Sequence, residues 1–301
     1  MEEISVLWPP SGAPLPNHWR LEDIPLHDVQ AERIRDNKHV FYLIVSASFV
    51  ESMTFCYTEN LIHHLRDNPA AVEWLRDRWQ REETQHGHAL RRYAEAVWPE
   101  LDWPAGYEFF YREYSGLCTL ETLEPSPGLE MLARMVVEVG TATYYTMLGH
   151  LSDEPVLRLL TEHIAQDEVR HYTYFHRFFR AYHEIERFGR GTRARVMLRR
   201  LLAIEHEDAD IALRAIQHSL PVGHRFRTEP WADTYSAILT AGKVEYPYRM
   251  AVTMLLKPLE LPATIRRALA PLLETSARAL MFSHPRTGSR RAGQAPPNLA
   301  A

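Results

Sequence analysis

Cysteine is nearly absent from this chain of 301 residues, which holds only Cys56 and Cys118. Two thiols cannot supply a disulfide framework of the kind that staples small secreted folds, and they fit a reducing compartment. Alternating Val, Ile and Thr runs are scarce, which removes the usual support for strands. A basic excess is also missing: the formal charge is −5, whereas a nucleic-acid binder would be positive. The longest apolar run, near Phe41 to Val50, falls well short of the ~20 residues that span a bilayer. Met1 to Pro14 is acidic and proline-rich, without the basic-then-apolar profile of a signal peptide, so a cytoplasmic location and no membrane span are expected.

What is present is helical pattern. An apolar fraction of 46% is enough for a sizeable core, and most of the chain repeats at ~3.6 residues. Residues 1–28 read as an extended arm. Helices are expected over about 29–66 and 69–98, the second opened by Asp67-Asn68-Pro69 as a cap and first-turn proline. The segment 99–127 reads as an aromatic loop with one short helix. Further helices follow over about 128–150 and 155–188, the latter begun by Ser152-Asp-Glu-Pro155, and then over 192–218, 230–256 and 261–282. The segment 283–301 has no means of burying apolar surface and is expected to be disordered.

Within the helical stretches, Glu83-Thr-Gln-His86 and Glu168-Val-Arg-His171 spell the same Glu-x-x-His pattern. That spacing puts a carboxylate and an imidazole on one helix face, a turn apart. Each motif is preceded some thirty residues earlier by an acid in an apolar run, Glu51 and Glu138. From Glu51 to the first turn is about fifteen residues, and from there to Glu83 about fourteen. At ~1.5 Å per residue, both arms climb roughly 20 Å, so an antiparallel hairpin brings the two acids to one level. The second hairpin, Glu138 to the Ser152 turn and on to Glu168, repeats the match. Glu59 misses that level, Glu82 does not stand three before His86, and His88 has no acid three before it. Glu51, Glu83, His86, Glu138, Glu168 and His171 are therefore the expected metal ligands. Four carboxylates neutralise two divalent ions, and with two imidazoles they suit iron or manganese.

This is the ligand set of ferritin-like di-iron and di-manganese bundles. An all-α, ferritin-like four-helix bundle with additional C-terminal helices is thus expected over 29–282, holding two Fe ions. Over Asn17–Tyr182 the chain further resembles the soluble acyl-acyl-carrier-protein desaturases. Glu83-Thr-Gln-His86-Gly87, with Leu90 and Tyr93, looks like that family's Glu-Asn-Arg-His-Gly stretch. Ile164-Ala-Gln-Asp167-Glu168-Val-Arg170-His171 looks like its Ile-Ala-Ala-Asp-Glu-Lys-Arg-His, and Glu51 with Tyr57 is similar as well. The resemblance implies roles for three more residues. Thr141 would place a hydroxyl near the oxygen-binding face of the metals. Trp19, Asp167 and His86 would form an electron-entry relay. It also implies O2, an acyl chain on a carrier as substrate, a ferredoxin-type electron donor and a homodimer. The sequence departs from the family at Leu21, where a proline is expected, in its shorter Glu51–Glu83 spacing and in its C-terminal part.

Other branches of the superfamily fit less well. A ribonucleotide-reductase small subunit would carry a tyrosine where Leu90 stands. An arylamine N-oxygenase would carry a histidine at Ile164, next to His163. A ferroxidase would need neither the helices past Phe188 nor the aromatic stretch Tyr107–Tyr114. Desaturation, oxygenation and N-oxygenation use the same ligands, so the ligands alone do not fix the reaction. Finally, Arg187, Arg190, Arg193, Arg195, Arg199 and Arg200 crowd one segment and are a candidate dock for an acidic partner.

Overall fold

A computed structural model describes residues 19–203, 208–227, 240 and 242–280. The expected disordered segment 283–301 and most of the arm therefore lie outside the described residues. The described chain is helical, with no strand among the described residues. Its helices are α1 (Lys38–Ser52), α2 (Thr54–His64), α3 (Pro69–Trp74), α4 (Gln80–Val97), α5 (Trp103–Tyr114), α6 (Pro127–His150), α7 (Pro155–Glu186), α8 (Arg190–Ala203), α9 (Asp208–Ser219), α10 (Tyr248–Leu256) and α11 (Ala263–Leu280).

Two antiparallel pairings dominate, α6 with α7 and α1 with α4, and α4 also touches α7. These are the two expected hairpins, but their backbones differ from expectation. The arm crosses three short 3-10 turns between Leu21 and Arg33, and α1 starts only at Lys38, where Asn37 Oδ1 accepts from Val40 N–H at 3.1 Å. The single helix expected over 29–66 is interrupted at Met53. The one expected over 69–98 contains a wider π turn at Leu75–Trp79. Pro69 does open α3 behind Asn68, as expected. At the second turn the cap is Glu154 rather than Ser152, because the Glu154 carboxylate accepts from Leu157 N–H at 2.7 Å. The segment expected as one helix over 192–218 is helical as α8 and α9, with 204–207 between them outside the described residues, and the aromatic stretch is the full helix α5, capped by Asp102.

The core has two apolar ends. One gathers α1, α4, α5, α9 and the facing ends of α6 and α7, from Tyr145 to Ile164. The other gathers α3, the π turn, Leu129–Val139 of α6 and Tyr172–Tyr182 of α7. On all four central helices the six expected ligands fall at the seam between these ends, where every one is buried. Close contact of α1 with α4 there depends on Gly87: a Cβ at this position would lie 2.7 Å from the Ser52 backbone nitrogen. Even a methyl group there would have to push two backbones apart.

Among the described residues, no single helix is long and apolar enough to cross a membrane; the bent pair α1–α2 meets that test by length and composition only.

Candidate metal centre

The seam brings all six residues together as two overlapping quartets. Glu51, Glu83, His86 and Glu168 offer ligand atoms within 4.8 Å of one another, and so do Glu83, Glu138, Glu168 and His171. Glu83 and Glu168 belong to both. Each quartet therefore has one imidazole and one acid of its own, with two shared carboxylates placed to bridge.

Beyond each imidazole stands a carboxylate from the opposite hairpin. His86 Nε2 lies 2.9 Å from Asp167 Oδ2, and His171 Nε2 lies 2.7 Å from Glu82 Oε2. A carboxylate accepts, so each Nε2 carries the proton and each Nδ1 turns its lone pair inward. Those Nδ1 atoms, together with Glu138 Oε2 and Glu168 Oε1, are buried without a hydrogen-bond partner. Buried polar atoms are rarely left so. Four of them converging from three helices, in a set of nitrogen and carboxylate donors, fit metal ions of the iron or manganese class.

Burial pushes the Glu51 carboxyl well above the usual carboxylate range, and the charges of Glu83 and Glu168 add to it. Burial does the same at Glu138, helped by Glu168 and Glu83 and opposed by His171. Glu83 and Glu168 experience the same burial, yet the neighbouring imidazoles of His171 and His86 hold both below the usual range. Burial likewise opposes protonation of the imidazoles. Asp167, Glu168 and Glu83 nevertheless hold His86 well above an ordinary histidine, and Glu138, Glu168, Glu82 and Glu83 do so for His171. Metal loading would displace protons that these groups hold.

The three residues singled out beside the ligands are also in contact with them. Thr141 donates from its hydroxyl to Glu168 Oε2 at 2.6 Å. Trp19 is buried and donates from Nε1 to Asp167 Oδ2 at 2.8 Å, the same oxygen that meets His86. The Trp19 ring stacks between two imidazoles, His86 at 6.1 Å and the half-buried His163 at 5.5 Å. Arg170 pairs with the other Asp167 oxygen.

Three contacts escape the sequence reading. Glu82, set aside there, holds His171, although the repeat could have found it: Glu82 precedes Glu83 as Asp167 precedes Glu168. Tyr145 donates its buried hydroxyl to Glu51 Oε1, a contact between hairpins with no local signature. His163 faces Trp19 rather than the ligands.

The arginine segment is largely occupied within the fold. Arg193 is buried and donates to Pro258 O at 2.7 Å and to Glu260 at 3.0 Å. Arg190 donates to Leu259 O and Glu260 O, Arg199 pairs with Glu124, and Arg200 lies 3.6 Å from Glu130. The expected docking patch is thus mostly a set of struts joining α8 to its neighbours.

No protein family model matches this chain, and neither does any curated protein sequence.

Proposed function

We propose that the protein is a dioxygen-dependent di-iron oxidase built on a ferritin-like bundle, acting on an unactivated C–H of an acyl chain, with desaturation of an acyl thioester as the leading reaction. The observation that carries this reading is the pair of overlapping quartets sharing Glu83 and Glu168. Two shared carboxylates between two His-plus-Glu sets are what a coupled metal pair needs, whereas independent sites would not share ligands. A bound iron pair supplies the reduction of dioxygen to an oxidant strong enough for such a bond.

The protein's own groups would serve that chemistry in distinct ways. Glu82 and Asp167 fix the imidazole tautomers and orient the rings from outside the seam. Thr141 holds an exchangeable proton at Glu168 Oε2, on one shared ligand. Tyr145 steadies Glu51 across the bundle. Trp19, sandwiched between His86 and His163 and bonded to Asp167, provides an aromatic route from the seam toward solvent, suited to electrons from a ferredoxin-type donor. The resemblance over 17–182 favours the acyl substrate and its carrier, and a dimer.

Oxygenation is the alternative outcome at the same ligands. The N-oxygenase version is less favoured, because the extra histidine it needs is replaced by the fully buried Ile164 and His163 lies against Trp19. The deciding experiment supplies ferrous iron, reductant, oxygen and acyl thioesters and weighs the products. Loss of two hydrogens supports desaturation, and gain of an oxygen moves the protein to the oxygenases. Neither product, with ferric iron accumulating, removes the proposal in favour of a ferroxidase.

A further inference from the structure

The chain's two cysteines, far apart in sequence and both free thiols, meet in the fold. Cys118 is the titratable neighbour of the Cys56 thiol. The surrounding contacts fix this approach. Asn60, one turn beyond Cys56 on α2, donates from Nδ2 to the Cys118 carbonyl at 2.9 Å. The Cys118 sulfur also lies 3.8 Å from the Tyr114 carbonyl, and the rings of Tyr57 and Tyr114 meet edge to face at 5.7 Å. Two of these contacts, Asn60 with Cys118 and Tyr57 with Tyr114, hold α2 against the end of α5 and the turn that follows it. Both thiols are half-buried, so a small oxidant reaches them more readily than a protein thiol does.

We propose that Cys56 and Cys118 are a peroxide-responsive thiol pair whose reversible oxidation joins α2 to the turn after α5. Hydrogen peroxide first takes two electrons from one sulfur: a sulfur–oxygen bond forms, the oxygen–oxygen bond breaks and one water leaves. The second sulfur then attacks the first; the sulfur–sulfur bond forms, the sulfur–oxygen bond breaks, and a second water departs with the remaining thiol proton. Two thiols and one peroxide become one disulfide and two waters. Either sulfur can be oxidised first, the other then resolving it. The cross-link would clamp the chain just beyond the Met53 interruption, where Tyr107 already donates to the Ser52 carbonyl at 3.0 Å.

The test treats the folded, full-length protein with a small excess of hydrogen peroxide, alkylates the remaining thiols and maps peptides without reduction. Expected are the loss of both free thiols, a Cys56–Cys118 peptide pair two hydrogens lighter than its parts, a chain that stays single on a non-reducing gel, and full recovery with dithiothreitol. Cys56→Ser should abolish the pair and leave Cys118 as a sulfenic acid that dimedone traps. Survival of both thiols, sulfinic acid on one without a cross-link, or disulfides only between chains would each overturn the proposal. The wild-type measurement decides the matter even if a serine variant folds poorly.

Discussion

In the second hairpin, α6 and α7 run unbroken through Glu138 and through Glu168 and His171. In the first, both arms leave the α-helix close to the ligands, at Met53 just after Glu51 and over Leu75–Trp79 just before Glu83. The ligands nevertheless arrive at one level in both. An interruption and a wide turn alter the local winding without changing which residues reach the seam, and π turns are frequent at functional sites for this reason. A second difference lies outside the ligands. Asp167 connects His86 to Trp19, Arg170 and the arm, while Glu82 holds His171 in a surround that includes the edges of Trp74 and Trp79. The centre is nearly symmetric, and its surroundings are not.

The largest expected effect tests the symmetric part. Removing a shared carboxylate, Glu83→Ala or Glu168→Ala, should empty both positions, whereas Glu51→Ala or Glu138→Ala should spare one ion per chain. Metal analysis after ferrous loading separates the two, and equal losses in all four variants would end the two-quartet description. The outer carboxylates come next: Asp167→Asn and Glu82→Gln should each weaken metal affinity ~10–100-fold. Trp19→Phe breaks the symmetry, since it should retain both ions yet slow re-reduction of the oxidised centre by an external donor, followed by stopped-flow absorbance. An unchanged rate would leave Trp19 as packing alone.

Two glycines extend the comparison to stability. Gly87→Ala should cost ~1–3 kcal/mol by forcing α1 and α4 apart. Gly140→Ala, where a Cβ meets nothing within 4 Å, should gain ~0.5–1 kcal/mol from helix propensity. Denaturant midpoints of the two variants should therefore move in opposite directions. The smallest effect is a pH dependence on α7. Burial, with Lys257 and Arg180 nearby, pushes His176 down to about 4. The unfolded chain, with a histidine pKa of about 6.5, binds a proton first as pH falls. The folded form then loses stability between about pH 6.5 and 4, and His176→Gln should flatten that decline in thermal melts.

The clustering of the six residues was legible because the information is local: spacing places Glu and His on one face, and residue counts place two acids at one height. Trp19, Asp167 and Thr141 came instead from resemblance, and each does touch the ligand set. What stayed hidden depends on rotation and partners. No proline or glycine marks Met53, and the π turn shows no breaker, since both follow from packing between hairpins. Residues 82 and 83 both reach the interior, which a spacing rule that chooses one of them cannot express. In the arginine segment, composition records charge, whereas the pairing with Glu124, Glu130 and Glu260 comes from segments distant in sequence.

Glu154 has a consequence for how Trp19 can be probed. Its carboxylate accepts from Gln30 N–H at 3.2 Å, Tyr93 O–H at 2.8 Å and Leu157 N–H at 2.7 Å, and Arg33 pairs with the adjoining Asp153 at 2.6 Å. The arm is moored to the far end of the second hairpin by contacts that owe nothing to the indole. Mooring and proposed conduit are separate parts, so deleting one ring tests conduction while the arm stays at its berth.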